Sequence, residues 1–178
     1  TYRYCLWLGE TAPSVLRKLP LVLDRIEKVR DFRLNSKSPG TRKLANTPTH
    51  FHVKTITNDN FLILPLTSSQ RRRYVPIGFM DDSYLASNLV IVVPNANMYN
   101  FGVLTSVVFM SWMRAIGGKL KSDYRITKNN VYNNFPWLSP TEQQKRRIEK
   151  TAQAILDARA LYPKSSFADL YHPRTMPK

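Results

Sequence analysis

One cysteine, Cys5, stands in 178 residues, so the chain can form neither a disulfide framework nor a cysteine-based zinc site within itself. That usage fits a reducing compartment and gives the expectation of a cytoplasmic protein. Glycine is also sparse, with six residues, and no glycine-rich phosphate loop or Gly-x-Gly pattern after a strand occurs. No apolar run approaches the ~18 residues that a membrane span needs. The best stretch, residues 101–113, is interrupted by Gly102, Thr105 and Ser106. The first residues read Thr1-Tyr2-Arg3-Tyr4, with no initiator methionine and no charged-then-apolar leader. No signal peptide is expected on that basis, and the chain is expected to be a piece of something longer.

Acidic residues are scarce as well. Twelve Asp and Glu face 27 Lys and Arg, for a formal charge of +15. A folded domain with that excess repels itself, and a polyanion offsets the repulsion. Release of counterions from nucleic-acid phosphates would supply much of the binding free energy. A solubilising surface and an anionic membrane are the alternative explanations. With 43% hydrophobic and 11% aromatic residues there is material for a core, which places the chain among globular proteins.

Along the chain, residues 2–8 alternate like a strand and 11–19 offer a short helical turn. Residues 20–34 predict a helix, with Pro20 in its first turn and Leu23, Ile26 and Val29 on one side. Residues 35–48 lack periodicity and hold Pro39 and Gly40, which predicts a long basic loop. Strands are predicted at 51–56, 61–66, 74–80 and 89–93 from β-branched and aromatic runs. Between the second and third, residues 67–73 read as a hairpin-like turn ending in Arg71, Arg72 and Arg73. Residues 99–116 read as one mostly buried helix stopped by Gly117 and Gly118.

A basic segment, 119–128, follows. Ser139-Pro140-Thr141-Glu142 reads as a capping box that opens a helix to about Leu161, with Ile148, Ala152, Ile155 and Arg159 on one face. A short turn over 167–171 ends the pattern. The expected fold is α+β: a mixed or antiparallel sheet with flanking helices over 1–138, then a C-terminal helical subdomain over 139–178.

Catalytic signatures are missing. His50 and His52 alternate without a carboxylate-rich partner segment, so a metal site is not expected. Asp81-Asp82 resembles a turn, and no nucleophile-elbow motif is present. What recurs is basic loops bearing Ser, Thr, Asn, Asp or Tyr: residues 35–48, 67–73 and 119–130. Lys and Arg position phosphates, while Asp, Asn, Gln and Arg can read base edges. An RNA-stacking platform using Tyr74, Tyr124 and Tyr132 is the competing arrangement. A standalone general nucleic-acid-binding protein is therefore the rival function, and a hydrolase with an unrecognised site is a third.

Several strings resemble a known family. Phe32-Arg33-Leu34-Asn35-Ser36-Lys37-Ser38 and Ser69-Gln70-Arg71-Arg72-Arg73-Tyr74-Val75-Pro76-Ile77-Gly78-Phe79 are similar to the target-recognition region of MmeI-like (Type IIL) restriction-modification enzymes. So are Trp112-Met113-Arg114-Ala115 and Gly118-Lys119-Leu120-Lys121-Ser122-Asp123-Tyr124-Arg125. Val131-Tyr132-Asn133-Asn134-Phe135-Pro136-Trp137 carries the resemblance furthest, with Ala158-Arg159-Ala160-Leu161-Tyr162-Pro163 after it. The resemblance covers nearly the whole chain.

It implies sequence-specific recognition of double-stranded DNA within a DNA adenine methyltransferase, one that can also carry an endonuclease. The methyltransferase's own motifs are absent, so this fragment is expected to hold no catalytic residue and no cofactor. S-adenosylmethionine and, as a further candidate, Mg2+ would belong to the parent protein. The methyltransferase domain of the same polypeptide is the expected protein partner, and no membrane is expected. The candidate base readers are Asp123, Arg125, Lys121, Ser122 and Tyr124. The candidate phosphate contacts are Lys37, Arg42, Lys43, Arg71, Arg72, Arg73, Lys119 and Lys128.

Overall fold

The computed structural model of the chain describes residues 4–53 and 59–177. The chain divides into two compact units, Thr1–Lys54 and Thr55–Lys178.

The first unit is helical. A short α1 (Pro13–Leu16) leads to α2 (Pro20–Leu34), which begins at Pro20 as the sequence predicts. Proline suits a first turn because its missing N–H would be unpaired there. Residues 35–48 are not the expected aperiodic loop, since they hold α3 (Pro39–Lys43) and a 3-10 turn at Leu44–Asn46. The Ser38-Pro39 pair that reads as a breaker is instead a start signal: the Ser38 side chain accepts from the Thr41 N–H at 3.4 Å, with Pro39 in the first turn.

Arg33 fastens this segment to α2. Its Nη1 donates to the carbonyls of Leu44 (2.9 Å) and Thr47 (2.8 Å), and its Nη2 to that of His50 (2.8 Å). Trp7 stacks on Phe51 with centroids 5.5 Å apart. The strands expected at 2–8 and 51–56 are absent from their described parts, 4–8 and 51–53; residues 2–3 and 54–56 lie outside the described residues. A lone alternating stretch has no ladder partner within this helical unit, and unpaired backbone does not make a strand.

The second unit holds two small antiparallel sheets and the core. In the first sheet, β1 (Phe61–Pro65) is central, flanked by β3 (Gly78–Met80) and β4 (Val90–Pro94). In the second, β6 (Asp123–Arg125) lies between β2 (Thr67–Ser68) and β5 (Gly118–Leu120). Leu66 joins them: its N–H donates to the Leu89 carbonyl at 2.9 Å, and its carbonyl accepts from the Ile126 N–H at 2.8 Å. The strand expected at 74–80 shortens to β3. Pro76 has no N–H for a ladder, and the Val75 N–H donates to the Met110 sulfur at 3.4 Å.

The expected helix at 99–116 is two helices, α4 (Met98–Leu104) and α5 (Val107–Ile116). Polar side chains decide the break. The Thr105 hydroxyl donates back to the Phe101 carbonyl at 2.7 Å, and Ser106 caps α5 by accepting from the Phe109 N–H at 3.2 Å. The pair is also not buried on every side, since Val107 and Val108 are 58% and 61% exposed.

Lys128–Tyr132 forms one π-helical turn, held where the Trp112 indole N–H donates to the Val131 carbonyl at 2.9 Å. The long helix α6 (Glu142–Ala160) packs on α4, with Ala152 buried. Its capping box is Thr141 with Gln144, two residues after the expected Ser139 start. The sequence holds two overlapping boxes, and Gln144 is the residue that reaches back, its oxygen 2.9 Å from the Thr141 N–H.

The last helix among the described residues is α7 (Phe167–Leu170), whose Phe167 lies against Gly78 and under the Arg159 guanidinium. Arg159 also faces the rings of Phe101 and Tyr171, at 5.2 and 5.1 Å. Asp169 closes a capping box on Ser166, accepting from its hydroxyl (2.6 Å) and its N–H (3.1 Å). These bonds hold the Asp169 carboxyl below the ordinary value of 3.8. A depressed folded-state pKa contributes stability above the unfolded value that is lost as pH falls through the folded one. Ser166→Ala is expected to raise the Asp169 titration midpoint toward 3.8, followed by carboxyl-carbon NMR. A midpoint that stays put assigns the depression to another cause.

Candidate nucleic-acid interface

The pairing of β2 with β6 gives the second unit its basic surface. Thr67 stands opposite Arg125 and Ser68 opposite Tyr124, so two segments far apart in sequence, 67–73 and 118–128, meet in one sheet. Opposed residues share a face and neighbours along a strand alternate. Thr67, Leu120, Asp123 and Arg125 therefore lie on one face. Tyr124 lies on the other and packs against the core beside buried Ile126.

The β5–β6 hairpin turns at Lys121 and Ser122, both exposed, with Lys121 at φ 58°. A lysine in the left-handed region is uncommon and marks a tight turn. Lys119 and Lys128 are exposed on either side of the hairpin turn in sequence.

Arg71, Arg72 and Arg73 follow β2 after Ser69 and Gln70. Arg71 and Arg73 are exposed, and Arg72 is half-buried with its Nε enclosed. The Arg71 N–H donates to the Ser69 hydroxyl at 3.4 Å and the Arg72 N–H to the Ser69 carbonyl at 3.0 Å. The Gln70 N–H donates to Asp123 Oδ1 at 3.3 Å, and Arg114 Nη2 donates to the Arg73 carbonyl at 2.6 Å. The Arg73 guanidinium lies 5.6 Å from the Tyr74 ring centroid. Among the described residues, ion pairs join only Lys28 to Asp24 and His50 to Glu10. The arginine turn and the hairpin lysines thus stand without acidic partners, an arrangement suited to an external polyanion.

The structure brings nine candidate residues into or beside one sheet: Arg71, Arg72, Arg73, Lys119, Lys121, Ser122, Asp123, Tyr124 and Arg125. Tyr124 faces inward from that sheet, and Lys128 belongs to the same unit, in the π turn. Lys37, Arg42 and Lys43 lie in the other unit, on and before α3, and all three are exposed. Arg42 Nη1 donates to the carbonyls of Ser36 (2.8 Å) and Lys37 (3.0 Å).

Sequence reasoning missed Arg114 and Gln70 as members of this surface. A string match includes both, but their roles depend on the partners across the fold. Tyr74, Tyr124 and Tyr132 do not form a stacking platform. All three are partly buried against the core, and burial raises the Tyr132 hydroxyl pKa.

Other groups fill structural positions. Asp81 accepts from the N–H and hydroxyl of Ser83 in a turn, which lowers its pKa. His50 contacts Glu10 at 3.3 Å and Thr49 at 3.1 Å. Among the described residues no three His, Cys, Asp or Glu side chains gather as a metal set, and no helix is long and apolar enough to cross a membrane. A groove of about 780 Å³ between α4, residues 135–140 and α6 is largely apolar and is lined by none of the candidate residues above.

The model of the MmeI target recognition domain matches residues 1–139, and that of the MmeI C-terminal domain matches residues 140–178. DNA methyltransferase A of Bacillus subtilis (strain 168) is 37% identical over 175 residues, covering 98% of this chain. A solved structure of the Type IIL restriction-modification enzyme MmeI, in complex with DNA, superposes with a TM-score of 0.93 at 46% identity over 97% of the chain. The chain spans 20% of the first relative's length and 23% of the second's. With both family models together covering its whole length, the chain belongs to the MmeI family, as target recognition domain followed by the family's C-terminal domain.

Proposed function

We propose that this chain is the DNA-reading part of a larger modification polypeptide. It recognises a duplex target and places it for S-adenosylmethionine-dependent base methylation by a methyltransferase domain elsewhere in that polypeptide. The observation that carries the reading is the β2–β6 pairing, which joins two acid-poor, basic segments into one surface. The DNA complex of its solved relative and the methyltransferase name of its curated relative support it. The protein partner is the methyltransferase domain of the same chain, and the compartment is the cytoplasm, where the free, exposed thiol of Cys5 persists.

Base reading belongs to the hairpin. Lys121 and Ser122 sit at its turn, and Arg125 projects from its outer face beside Asp123; Tyr124 supports them from the inner face. An arginine there can donate to two acceptors on guanine. Arg71, Arg72, Arg73, Lys119 and Lys128, with Lys37, Arg42 and Lys43 of the helical unit, contact phosphates. Arg125→Ala is expected to relax preference at one base pair by ~1–3 kcal/mol, whereas Lys43→Ala weakens all sequences alike. Both are read by competition among duplexes selected from a randomised pool. An equal loss on every sequence for Arg125→Ala would remove it from the base readers.

A further inference from the structure

Residues 35–50 hold no Asp or Glu and carry Lys37, Arg42 and Lys43, yet Ala45 is the single buried side chain among them. Apolar burial therefore does little to fix where this segment lies, and polar bonds set its place. Its far end is built from two successive turns. The Thr47 N–H donates to the Leu44 carbonyl and the His50 N–H to the Thr47 carbonyl, both at 3.1 Å. The carbonyls of Leu44, Thr47 and His50 all face one guanidinium, that of Arg33 in the last turn of α2, at 2.9, 2.8 and 2.8 Å. Both protons of its Nη1 and one of its Nη2 are used in these bonds. Gathered carbonyls present partial negative charge, and a planar guanidinium meets several acceptors at once where a lysine ammonium is a point charge. The near end is tied by Arg42, whose Nη1 donates to the Ser36 and Lys37 carbonyls.

We infer that Arg33 is a positioning residue of the DNA-binding surface, an assignment that rests on the DNA-recognition function. Arg33 anchors residues 35–50 on α2, so that the exposed Lys37, Arg42 and Lys43 are already in place for phosphates. An untethered basic segment would lose conformational freedom on meeting an anion. A segment held beforehand avoids that ordering cost at binding.

Arg33→Lys separates charge from geometry, because it keeps the cation and loses the fork. If Arg33 itself neutralised a phosphate, Arg33→Lys would leave the dependence of log K on log salt unaltered. Positioning predicts that Arg33→Lys and Arg33→Ala both bind about tenfold weaker, each with a salt slope reduced by more than the ~0.9 that one phosphate contributes. A chain carrying Lys37→Ala, Arg42→Ala and Lys43→Ala together has no cation left there to position. Adding Arg33→Ala to it changes the slope no further, whereas a direct contact would remove another ~0.9.

The measurement is fluorescence anisotropy of the chain against a randomised duplex pool over a salt series. Amide exchange in the helical unit is followed by NMR in parallel. Faster exchange in both Arg33 variants at residues 41–50, with α2 unchanged, supports a released segment. An unaltered salt slope in Arg33→Lys, or a further loss of one phosphate's worth of slope in the triple variant, overturns the positioning role. So does faster exchange throughout α2, which would make Arg33 a stabiliser of the whole helical unit. If the unaltered chain binds no duplex, DNA recognition fails and the positioning role falls with it. If it binds and Arg33→Lys matches it, the positioning role alone fails.

Discussion

Phe135→Ala is expected to destabilise the chain by about 3–5 kcal/mol, the range for removing a large buried aromatic. Phe135 is 6% exposed and sits at the centre of a ring cluster. Phe109 and Trp137 meet it edge-on at 5.2 Å, and Trp112 at 6.1 Å. Edge-to-face pairs of this kind contribute roughly 0.5–1.5 kcal/mol each beyond the area they bury. Trp112 is also the indole that holds the π turn through the Val131 carbonyl, so the cavity would open beside a hydrogen bond that fixes the backbone near Lys128. Against a typical total of about 5–15 kcal/mol, such a loss removes a large share of stability. Urea unfolding would show it as a lower midpoint at an unchanged slope. A cost under about 1 kcal/mol would mean that the neighbouring rings close the gap. Phe135→Leu should recover part of the loss, because it refills volume without restoring the ring contacts.

Gly102→Leu is also expected to destabilise the chain, for the opposite reason. Gly102 lies on α4 where α6 crosses it closely. A Cβ there would stand 2.6 Å from Ile148 Cγ2, 3.1 Å from the Ala152 Cβ and 3.2 Å from the Ile148 carbonyl oxygen. Glycine ordinarily weakens a helix interior by up to about 1 kcal/mol relative to alanine, so its presence in α4 calls for a packing reason, and this contact supplies it. Overpacking costs typically about 1–3 kcal/mol, and here a backbone carbonyl stands behind the two side-chain atoms, so the neighbours have little room to give. Thermal unfolding would register separation of α6 from α4 as a lower Tm. A variant as stable as the parent would show that the two helices can slide apart without loss.

Local signals read well where they were strong. Pro20 marks the start of α2, and the apolar run at 61–66 becomes β1 with Phe61, Leu62 and Leu64 buried. The basic character of 67–73 and 119–128 was also visible, because charge needs no partner to be counted. Ambiguous signals were settled by tertiary partners. Ser38-Pro39 could break or begin a helix, and Thr105-Ser106 could sit inside one or end one. Each outcome follows from which backbone group the hydroxyl reaches.

By itself, then, the sequence determined the family, the cationic excess, the two longest helices, α2 and α6, and the identity of the basic segments. These are properties of composition and of short strings. Only the tertiary structure decided that the arginine turn and the hairpin share one surface, that Tyr124 faces inward while Arg125 faces out, and that Asp123 and Arg114 bond to the backbone of the turn. Strand pairing between distant short segments depends on the hydrophobic face each must bury, and a slip of one residue would exchange those faces. Two- and three-residue strands such as β2 and β6 hold too little periodicity to announce that pairing in advance.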